Sequence, residues 1–450
     1  MPDEMTAKIL ALATKYGASA VGVTTADAFE AELLAIKASK SSGRSGPLRF
    51  TYDEPDTATD IRRSVPWAKR ILVVGHNYLA DSATPDQDGA VVARFATANH
   101  YERVGQITDA VAAELVDRGY RAEVLIDDNR LVDRAAATRA GVGWSGRNTM
   151  VLTPGHGPWM LLGSVVTDAP LEPTHRMERT CGTCVACFPA CPTDALDDRG
   201  LDARRCLSTW LQTPGSIPQW IRPHLGRRVY GCDDCLTACP PGSRSLARTG
   251  ERPVNMPFPK LLAMTDDELL ERFSWWYVPR REGRFIRRNL LIAAGNSGEP
   301  DTFDSIESHL LHASSMIRGH AAWALAKGRG GEAMPVLERA LEGETVAEAH
   351  DELTLALLMV GNPQAHRGML EVDEWVWTNE SLRALASKEQ DLLVVSTDPE
   401  GTQIPDTSRL IQVLSPRDLT ITPLADAVIV YDPDRLMESA RRRERQVTSS

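Results

Sequence analysis

The stretch Cys181-Gly-Thr-Cys-Val-Ala-Cys-Phe-Pro-Ala-Cys-Pro192 decides how the middle of this chain must fold. Its four cysteines follow the spacing C-x2-C-x2-C-x3-C-P. In this ferredoxin-type pattern, three thiolates hold one [4Fe-4S] cluster and the fourth reaches a second cluster. Three thiolates placed two residues apart can lie on one tight loop and surround the irons, and the proline ends that loop. The stretch therefore predicts an iron–sulfur loop.

A second cluster needs three more cysteines and one that returns to the first cluster. Cys232, Cys235 and Cys239-Pro240 repeat the ending C-x2-C-x3-C-P, and Cys206 stands alone upstream. We assign one cluster to Cys181, Cys184, Cys187 and Cys239, and the other to Cys191, Cys206, Cys232 and Cys235. This uses all eight cysteines of the chain. Two zinc sites are the alternative, but zinc ribbons lack the three-cysteine run and the paired Cys-Pro endings.

Length and composition limit the class of protein. The 450 residues exceed one ordinary core, and 42% hydrophobic and 25% charged residues are typical of a globular, water-soluble chain. The net charge of -11 argues against wholesale wrapping of nucleic acid. No apolar run approaches the roughly 18 residues of a membrane span, and the acidic start differs from a secretory signal. We expect a cytoplasmic location, where cysteines bind metal more often than they form disulfides.

The chain divides into four stretches of different character. Residues 1–170 alternate helical stretches (5–16, 107–118) with strand-like runs (71–74, 124–126, 150–152, 161–166). Residues 171–250 hold every cysteine. Residues 251–370 turn helical, and matching segments at Ile286, Ile317 and His350 recur at intervals of about 30 residues, which predicts three helical repeats. Residues 371–450 contain strand-like runs (392–395, 409–414, 427–431) and a basic tail (441–445), and their role is not evident from the sequence.

Two features of residues 1–170 could carry ligand chemistry. Asp127 and Asp128 follow a strand and precede a helix, so they either cap that helix or belong to a site at the strand end. Gly141-Val-Gly-Trp-Ser-Gly146 matches G-x-G-x-x-G, but it follows a helix and leads into a strand, the reverse of a dinucleotide-binding turn. Its glycines either allow close approach to a flat ligand or end the helix.

Several motifs, in order along about 360 residues, resemble the epoxyqueuosine reductase family, whose members complete queuosine in tRNA anticodons. The cysteine set together with the Gly-Trp motif is the most specific part of the resemblance. The matching segments are Asp60-Ile-Arg-Arg-Ser-Val-Pro-Trp-Ala-Lys-Arg-Ile-Leu-Val-Val-Gly-His-Asn-Tyr78, Ala93-Arg-Phe-Ala96 with Tyr101, Ala140-Gly-Val-Gly-Trp-Ser-Gly-Arg-Asn-Thr149, Leu201-Asp-Ala-Arg-Arg-Cys206, Gly231-Cys-Asp-Asp-Cys235, Arg287-Arg-Asn289 and Gly295-Asn-Ser-Gly298.

The resemblance implies a multidomain α+β fold. Its parts would be a nitroreductase-like α/β cobalamin domain, a ferredoxin-like two-cluster module, HEAT-like α-helical repeats and a C-terminal α/β extension. It implies two [4Fe-4S] clusters and cobalamin as cofactors, with an external electron donor such as flavodoxin or ferredoxin. The family's proton donor corresponds to Asp127, 17 residues before Trp144. Its serine near the corrin corresponds to Ser208, and Asn148 in the Gly-Trp loop is a further cofactor-binding candidate unless it only shapes the turn.

The implied reaction is reductive deoxygenation, in which a reduced cobalt attacks the epoxide and Asp127 protonates the departing oxygen. The sequence departs from the family pattern at Asp128-Asn-Arg130 and at His100-Tyr-Glu102, both near the expected substrate. A cobalamin-dependent reductase with a small-molecule substrate, similar to reductive dehalogenases, and a non-enzymatic electron-transfer protein are therefore alternatives.

A basic segment suggests how tRNA would be held. Five arginines, preceded by Trp275, Trp276 and Tyr277, form either a phosphate-binding face with stacking aromatics or a solvated helix face beside a buried aromatic corner. These arginines are Arg280, Arg281, Arg284, Arg287 and Arg288. The helical repeats and this segment are the predicted tRNA-binding region.

Overall fold

The computed structural model describes residues 3–47, 49–50, 53–82, 84–249 and 253–361, together with two short strands at 409–410 and 425–426. These two strands, β13 (Arg409–Leu410) and β14 (Ala425–Asp426), pair antiparallel. The predicted strands at 392–395 and 427–431, most of the strand at 409–414, and the basic tail lie outside the described residues. Among the described residues, none of the helices is both long enough and apolar enough to cross a bilayer.

The first part of the chain forms a four-stranded sheet in the order β1-β2-β8-β5, with every neighbouring pair antiparallel. The strands here are β1 (Ala20–Thr25), β2 (Arg70–Asn77), β3 (Thr84–Gly89), β4 (Val91–Val92), β5 (Ala122–Leu125), β6 (Trp144–Ser145), β7 (Val151–Leu152) and β8 (Met160–Thr167). The helices are α1 (Glu4–Lys15), α2 (Glu30–Ser41), α3 (Pro55–Ala58), α4 (His100–Asp117) and α5 (Asp133–Arg139).

Helices cover both faces of this sheet, because its central strand is apolar on both sides. Successive side chains of a strand point to opposite faces. On β2, Ile71 and Val73 pack with α5, whereas Leu72 and Val74 pack with α1 and α4. The continuous apolar run at 71–74 follows from this double burial. Each predicted helix and strand of residues 1–170 overlaps an observed one, and the strands β1, β3, β4 and β6 and the helices α2 and α3 are additional.

Residues 168–195 form neither helix nor strand, although they carry four of the cysteines. Short elements follow. They are β9 (Leu196–Asp197), β10 (Gly200–Leu201), α6 (Leu207–Gln212), α7 (Arg222–Leu225), β11 (Arg228–Tyr230), α8 (Asp234–Thr237), α9 (Pro240–Leu246) and β12 (Pro253–Met256). Parallel pairs β11–β4 and β12–β3 join this part to the first. Pairing between such distant short segments leaves no local signal in the sequence.

The remaining described residues are helical. Their helices are α10 (Phe258–Ala263), α11 (Asp266–Arg272), α12 (Arg284–Ser297), α13 (Phe303–Ser308), α14 (Ser315–Arg329), α15 (Met334–Glu342) and α16 (Ala347–Gly361). The long helices α12, α14 and α16 start 31 and 32 residues apart and pack side by side. The starts of these three helices thus follow the interval of about 30 residues on which the repeat prediction was based. One glycine makes the first contact close: a Cβ on Gly295 would lie 2.6 Å from the Cα of Ala324.

One hydrophobic core joins the helices to the cysteine-bearing part. Trp210 and Trp220, which lie between Cys206 and Cys232, share this core with Trp323 of α14 and Phe258 of α10. The core therefore crosses the expected division at residue 250. The helical part supports the segment that carries the second half of the cysteines.

Candidate iron–sulfur and catalytic site

The first group of thiols comprises Cys181, Cys184 and Cys187, on the loop after β8, and Cys239, the N-cap of α9. These thiols lie close enough for their charges to interact. Burial, and then the neighbouring thiols of this group, raise the pKa of Cys187 and of Cys239. The backbone N–H of Arg147 lies 3.4 Å from the Cys181 sulfur and donates to it. The structure thus brings together the four cysteines that the sequence assigned to one cluster.

The second group comprises Cys191, Cys206, Cys232 and Cys235. Burial raises the pKa of Cys235, and the thiols of the other three raise it further. Burial likewise raises the pKa of Cys206 and of Cys232. The backbone N–H of Ala195 donates to the Cys191 sulfur over 3.2 Å. These are the four cysteines that the sequence assigned to the other cluster.

Both groups suit four-iron clusters chemically. A buried thiol with a raised pKa ionises readily only beside a positive charge such as bound iron. Each group offers four free thiols, the number that a [4Fe-4S] cluster binds with one thiolate at each iron.

Asp127 lies directly after β5 in a strained conformation. Its φ of 50° is in the left-handed region that residues other than glycine avoid. Part of the side chain is exposed, yet partial burial raises the pKa of Asp127, Asp128 raises it further and Arg134 opposes the change. The N-cap of α5 is Val132, and no side chain caps the helix. The capping role considered for Asp127 and Asp128 is therefore wrong; Asp128 pairs with Arg130 at 2.7 Å.

A second acid, Asp133, lies beside Asp127 and was missed in the sequence. Its Oδ1 is buried and has no hydrogen-bond partner among the described residues. Burial raises the pKa of Asp133 to about 8; Asp127 and Asp128 add to the shift, and Arg134 opposes it. After burial, both Asp127 and Asp133 raise the pKa of Tyr101, so the three side chains form one group. Acids in the first turn of a helix usually face solvent, so no sequence signal marks Asp133.

Tyr230 connects this acidic group to the second group of thiols. It ends β11 and precedes Cys232 by two residues. Burial raises the pKa of Tyr230, and Tyr101 and Asp127 contribute to the shift. Its hydroxyl donates to the backbone carbonyl of Tyr277 over 3.1 Å. The proton-bearing side chains and the second group of thiols therefore belong to one region of the molecule.

The two weaker cofactor candidates lie against the second group of thiols. Asn148 is buried; its Nδ2 donates to the carbonyl of Cys235 over 3.4 Å, and its Oδ1 accepts from the backbone N–H of Met150 over 3.2 Å. Asn148 therefore shapes its turn and also contacts the cysteine loop. The backbone N–H of Ser208 bonds the Cys206 thiol, and its Oγ accepts from Gln212 over 3.1 Å.

The glycines of the Gly-Trp loop approach the protein's own backbone. Gly141 has a φ of 71° just after α5, and a Cβ there would lie 2.2 Å from the carbonyl oxygen of His175. A Cβ on Gly143 would lie 2.5 Å from the carbonyl oxygen of Leu152. Gly141 therefore ends the helix, as one of the two interpretations proposed, and both glycines pack against other segments of the chain.

The prediction that five arginines form a tRNA-binding face is wrong for two of them. Arg288 is fully buried and donates to the carbonyls of Trp210 and Thr213, and burial lowers its pKa to about 9. Arg287 is also buried and bonds Asp266 at 2.6 Å. Both arginines hold the helical part to its neighbours, because buried guanidinium groups require several acceptors.

The other three arginines lie closer to the surface. Arg284 is paired with Glu282, and Arg280 and Arg281 are exposed. Trp275 and Trp276 instead form the aromatic corner of the alternative interpretation. Both indole N–H groups donate to the carbonyl of Ala96, and Trp276 is 3% exposed.

Fold and site together define an electron-transferring enzyme, with a two-cluster module joined to a domain that holds two acids of raised pKa. The family described as "4Fe-4S double cluster binding domain" matches residues 180–242. The chain belongs to the epoxyqueuosine reductase family. It is 30% identical over 347 residues to the epoxyqueuosine reductase of Xanthomonas campestris, a match that spans 72% of this chain and 97% of the relative.

Two solved structures extend the comparison. One is an epoxyqueuosine reductase bound to an epoxyqueuosine-modified tRNA-Tyr stem loop; it is 27% identical, has a TM-score of 0.69, and the match spans 80% of this chain and 99% of the other. The second is the epoxyqueuosine reductase of Bacillus subtilis with an aspartate catalytic loop swung out of its active site. It is 26% identical with a TM-score of 0.68, and the match spans 79% and 99% of the two chains.

Proposed function

We propose that this chain is a cobalamin-dependent iron–sulfur enzyme that reduces epoxyqueuosine to queuosine in tRNA. The observation that carries the proposal is the placing of Asp127, an acid with a raised pKa, beside Tyr230 and hence beside one of the two groups of four thiols. An acid and an electron source in one region are what reductive removal of an oxygen requires. Family membership and the tRNA-bound relative favour epoxyqueuosine in tRNA as the substrate.

The thiols bind two [4Fe-4S] clusters, one on Cys181, Cys184, Cys187 and Cys239, the other on Cys191, Cys206, Cys232 and Cys235. Ser208, which adjoins Cys206, and Asn148, which adjoins Cys235, would hold cobalamin near the second group of thiols. Bound cobalamin would supply a nucleophilic metal centre. Ser208 would contact it directly, and Asn148 would support the loop that holds it.

The protein's own part in the reaction is to deliver protons. An epoxide that becomes an alkene and water consumes two electrons and two protons. Asp127 donates a proton to the oxygen as its bond to carbon breaks, because its raised pKa keeps it protonated to higher pH than a solvent-exposed aspartate. Asp133 lies beside Asp127 and holds a second proton. It transfers this proton to Asp127 after Asp127 has protonated the oxygen. A relative's catalytic loop also carries an aspartate, which agrees with the position of Asp127 on a loop.

The partners follow from the same arrangement. tRNA binds across the helical part and the exposed arginines Arg280 and Arg281. An external donor such as flavodoxin or ferredoxin supplies the electrons. We further infer that residues 1–170 are a nitroreductase-like cobalamin domain, 171–250 the cluster module, 251–370 HEAT-like repeats and 371–450 an extension. The two-faced sheet and the stacking of α12, α14 and α16 support the first and third of these.

An anaerobic assay of the cluster- and cobalamin-loaded protein with tRNA containing epoxyqueuosine tests the function. We expect queuosine and water as products, with two electrons consumed per turnover. If the fully loaded protein leaves this tRNA unchanged, the proposed substrate is wrong, and small-molecule epoxides and halides become the next substrates to test. If no cobalamin binds, the result favours the alternative that the chain is a non-enzymatic electron-transfer protein.

A further inference from the structure

The segment 274–281 is fixed rigidly to the interior from both sides. The indole N–H groups of Trp275 and Trp276 both donate to the carbonyl of Ala96, over 2.9 and 2.8 Å. The guanidinium of Arg281 donates to the carbonyls of Ser274 and Trp276, over 3.2 and 3.1 Å. Two indole groups and one guanidinium thus hold the backbone of this short surface segment in place.

This rigid segment presents an aromatic ring to solvent. Tyr277 is 44% exposed, whereas its neighbour Trp276 is 3% exposed. The ring of Phe50, itself 37% exposed, meets Tyr277 edge to face with centroids 5.2 Å apart. The carbonyl of Tyr277 accepts the hydroxyl proton of Tyr230, whose other neighbours include Asp127. Two exposed rings therefore meet beside the catalytic region.

A positively charged side chain, Arg280, lies next to these rings on a strained stretch of backbone. Arg280 and Arg281 have φ values of 52° and 54°, in the left-handed region that residues with side chains avoid. Arg281 uses its guanidinium to hold the segment. Arg280 is exposed, and in the described part of the chain no hydrogen bond or ion pair engages it. The strain is thus maintained by the anchors, and it leaves one unpaired cation three residues from Tyr277.

We propose that Tyr277, Phe50 and Arg280 form a platform that binds one unpaired nucleotide of an RNA loop, with the base stacked on the rings and its phosphate on the guanidinium. This inference rests on the proposed function and deepens it. Single-stranded RNA is recognised by stacking of bases on aromatic faces together with cationic contacts to phosphate. A rigid ring loses little entropy on binding, which is what the double anchoring of the segment provides.

Fluorescence anisotropy of the holoenzyme with a labelled, epoxyqueuosine-modified anticodon stem loop tests the platform. Tyr277→Ala should weaken binding about 5- to 150-fold, the range for loss of one base–aromatic stack. Tyr277→Phe, which keeps the ring, should bind like the wild type. Tyr16→Ala is the matched control, because Tyr16 is 45% exposed and lies at the end of α1. Arg280→Gln should reduce the slope of log K against log salt concentration by about 0.7.

The possible outcomes distinguish a failure of the platform from a failure of the proposed function. If Tyr277→Ala binds the stem loop as tightly as Tyr16→Ala does, the platform is wrong, even where the wild type reduces the substrate. If instead Tyr277→Ala slows reduction of the clusters by flavodoxin with RNA affinity unchanged, the surface binds the electron donor and the proposal is overturned. If the wild type binds the stem loop through Tyr277 but never reduces it, the platform stands and the proposed function fails.

Discussion

Asp127 combines two properties that are individually unfavourable. Its left-handed backbone costs free energy, its pKa is raised, and no helix cap compensates for either. Its position could be taken from the resemblance to the family, whereas its environment could not be derived from local sequence. Asp133 shows the same limit, because its burial depends on how α5 packs against the rest of the domain.

Replacing Asp127 by Asn removes the proton and keeps the shape of the side chain. We expect the rate of epoxide reduction to fall about 100-fold or more, in the range of general acid catalysis. Iron content and the cobalamin spectrum should be unchanged. Asp128→Asn, which removes the ion pair with Arg130, is the matched neighbour and should keep most of the activity. Equal rates for the wild type and Asp127→Asn in single-turnover assays would exclude this acid.

The pH dependence of turnover should depend on Asp133. An acid with a raised pKa remains protonated to higher pH, so a rate that needs its proton is complete below that pKa and falls as pH rises through it. Since the pKa of Asp133 is about 8, we expect the rate to decline around pH 8. Asp133→Asn should move the decline to lower pH, and the exposed Asp56→Asn should not. Superimposable profiles for all three proteins would show that Asp133 supplies no proton.

Among the elements, the cysteine loop of residues 181–191 has no regular secondary structure to order it. It lacks helix and strand, and the spacing of its cysteines revealed its purpose without any structure, because ligand spacing is a local property. The environment of the arginines of α12, in contrast, could not be predicted from the sequence. Charged side chains are expected at the surface, and only the packed helices reveal that Arg288 satisfies backbone carbonyls of Trp210 and Thr213.

Removal of iron should therefore unfold a defined segment. Anaerobic chelation is expected to increase amide hydrogen exchange throughout 181–191, because this loop has no helix or strand and metal binding supplies its order. The paired amides of β2 and β8 provide the internal control and should remain protected, since they lie in the antiparallel sheet. If residues 181–191 stay protected after complete loss of iron, the loop is held by the protein alone.

At the scale of the whole molecule, one buried ion pair joins the cysteine-bearing part to the last described helix. Arg222 of α7 is 1% exposed and forms two hydrogen bonds with Glu352 of α16, over 2.8 and 2.5 Å. The guanidinium also donates to the carbonyl of Ile217 over 2.8 Å and lies over the ring of Trp323. The helical repeat was predictable from its period, but this connection joins residues 130 positions apart and has no local signal.

Arg222→Met should destabilise the protein by about 3–5 kcal/mol, because Glu352 would be left without its partner in a largely buried position. Urea unfolding of the anaerobic holoprotein, followed by circular dichroism, measures the change. Adding Glu352→Leu should recover part of the loss. Arg329→Met breaks a more exposed pair with Glu307 and should cost about 1 kcal/mol or less. Similar losses for both arginines would show that burial of the pair is unimportant.

The shared core of Trp210, Trp220 and Trp323 also sets the order of events during synthesis. A ribosome releases the chain from its N-terminus, so every cysteine emerges well before α14 and α16 exist. Until those helices arrive, the apolar side of the segment that holds Cys206 and Cys232 has no cover. Iron would then bind to a nascent chain in which the core beneath Cys206 and Cys232 is still incomplete. We therefore expect cluster insertion to follow the completion of translation.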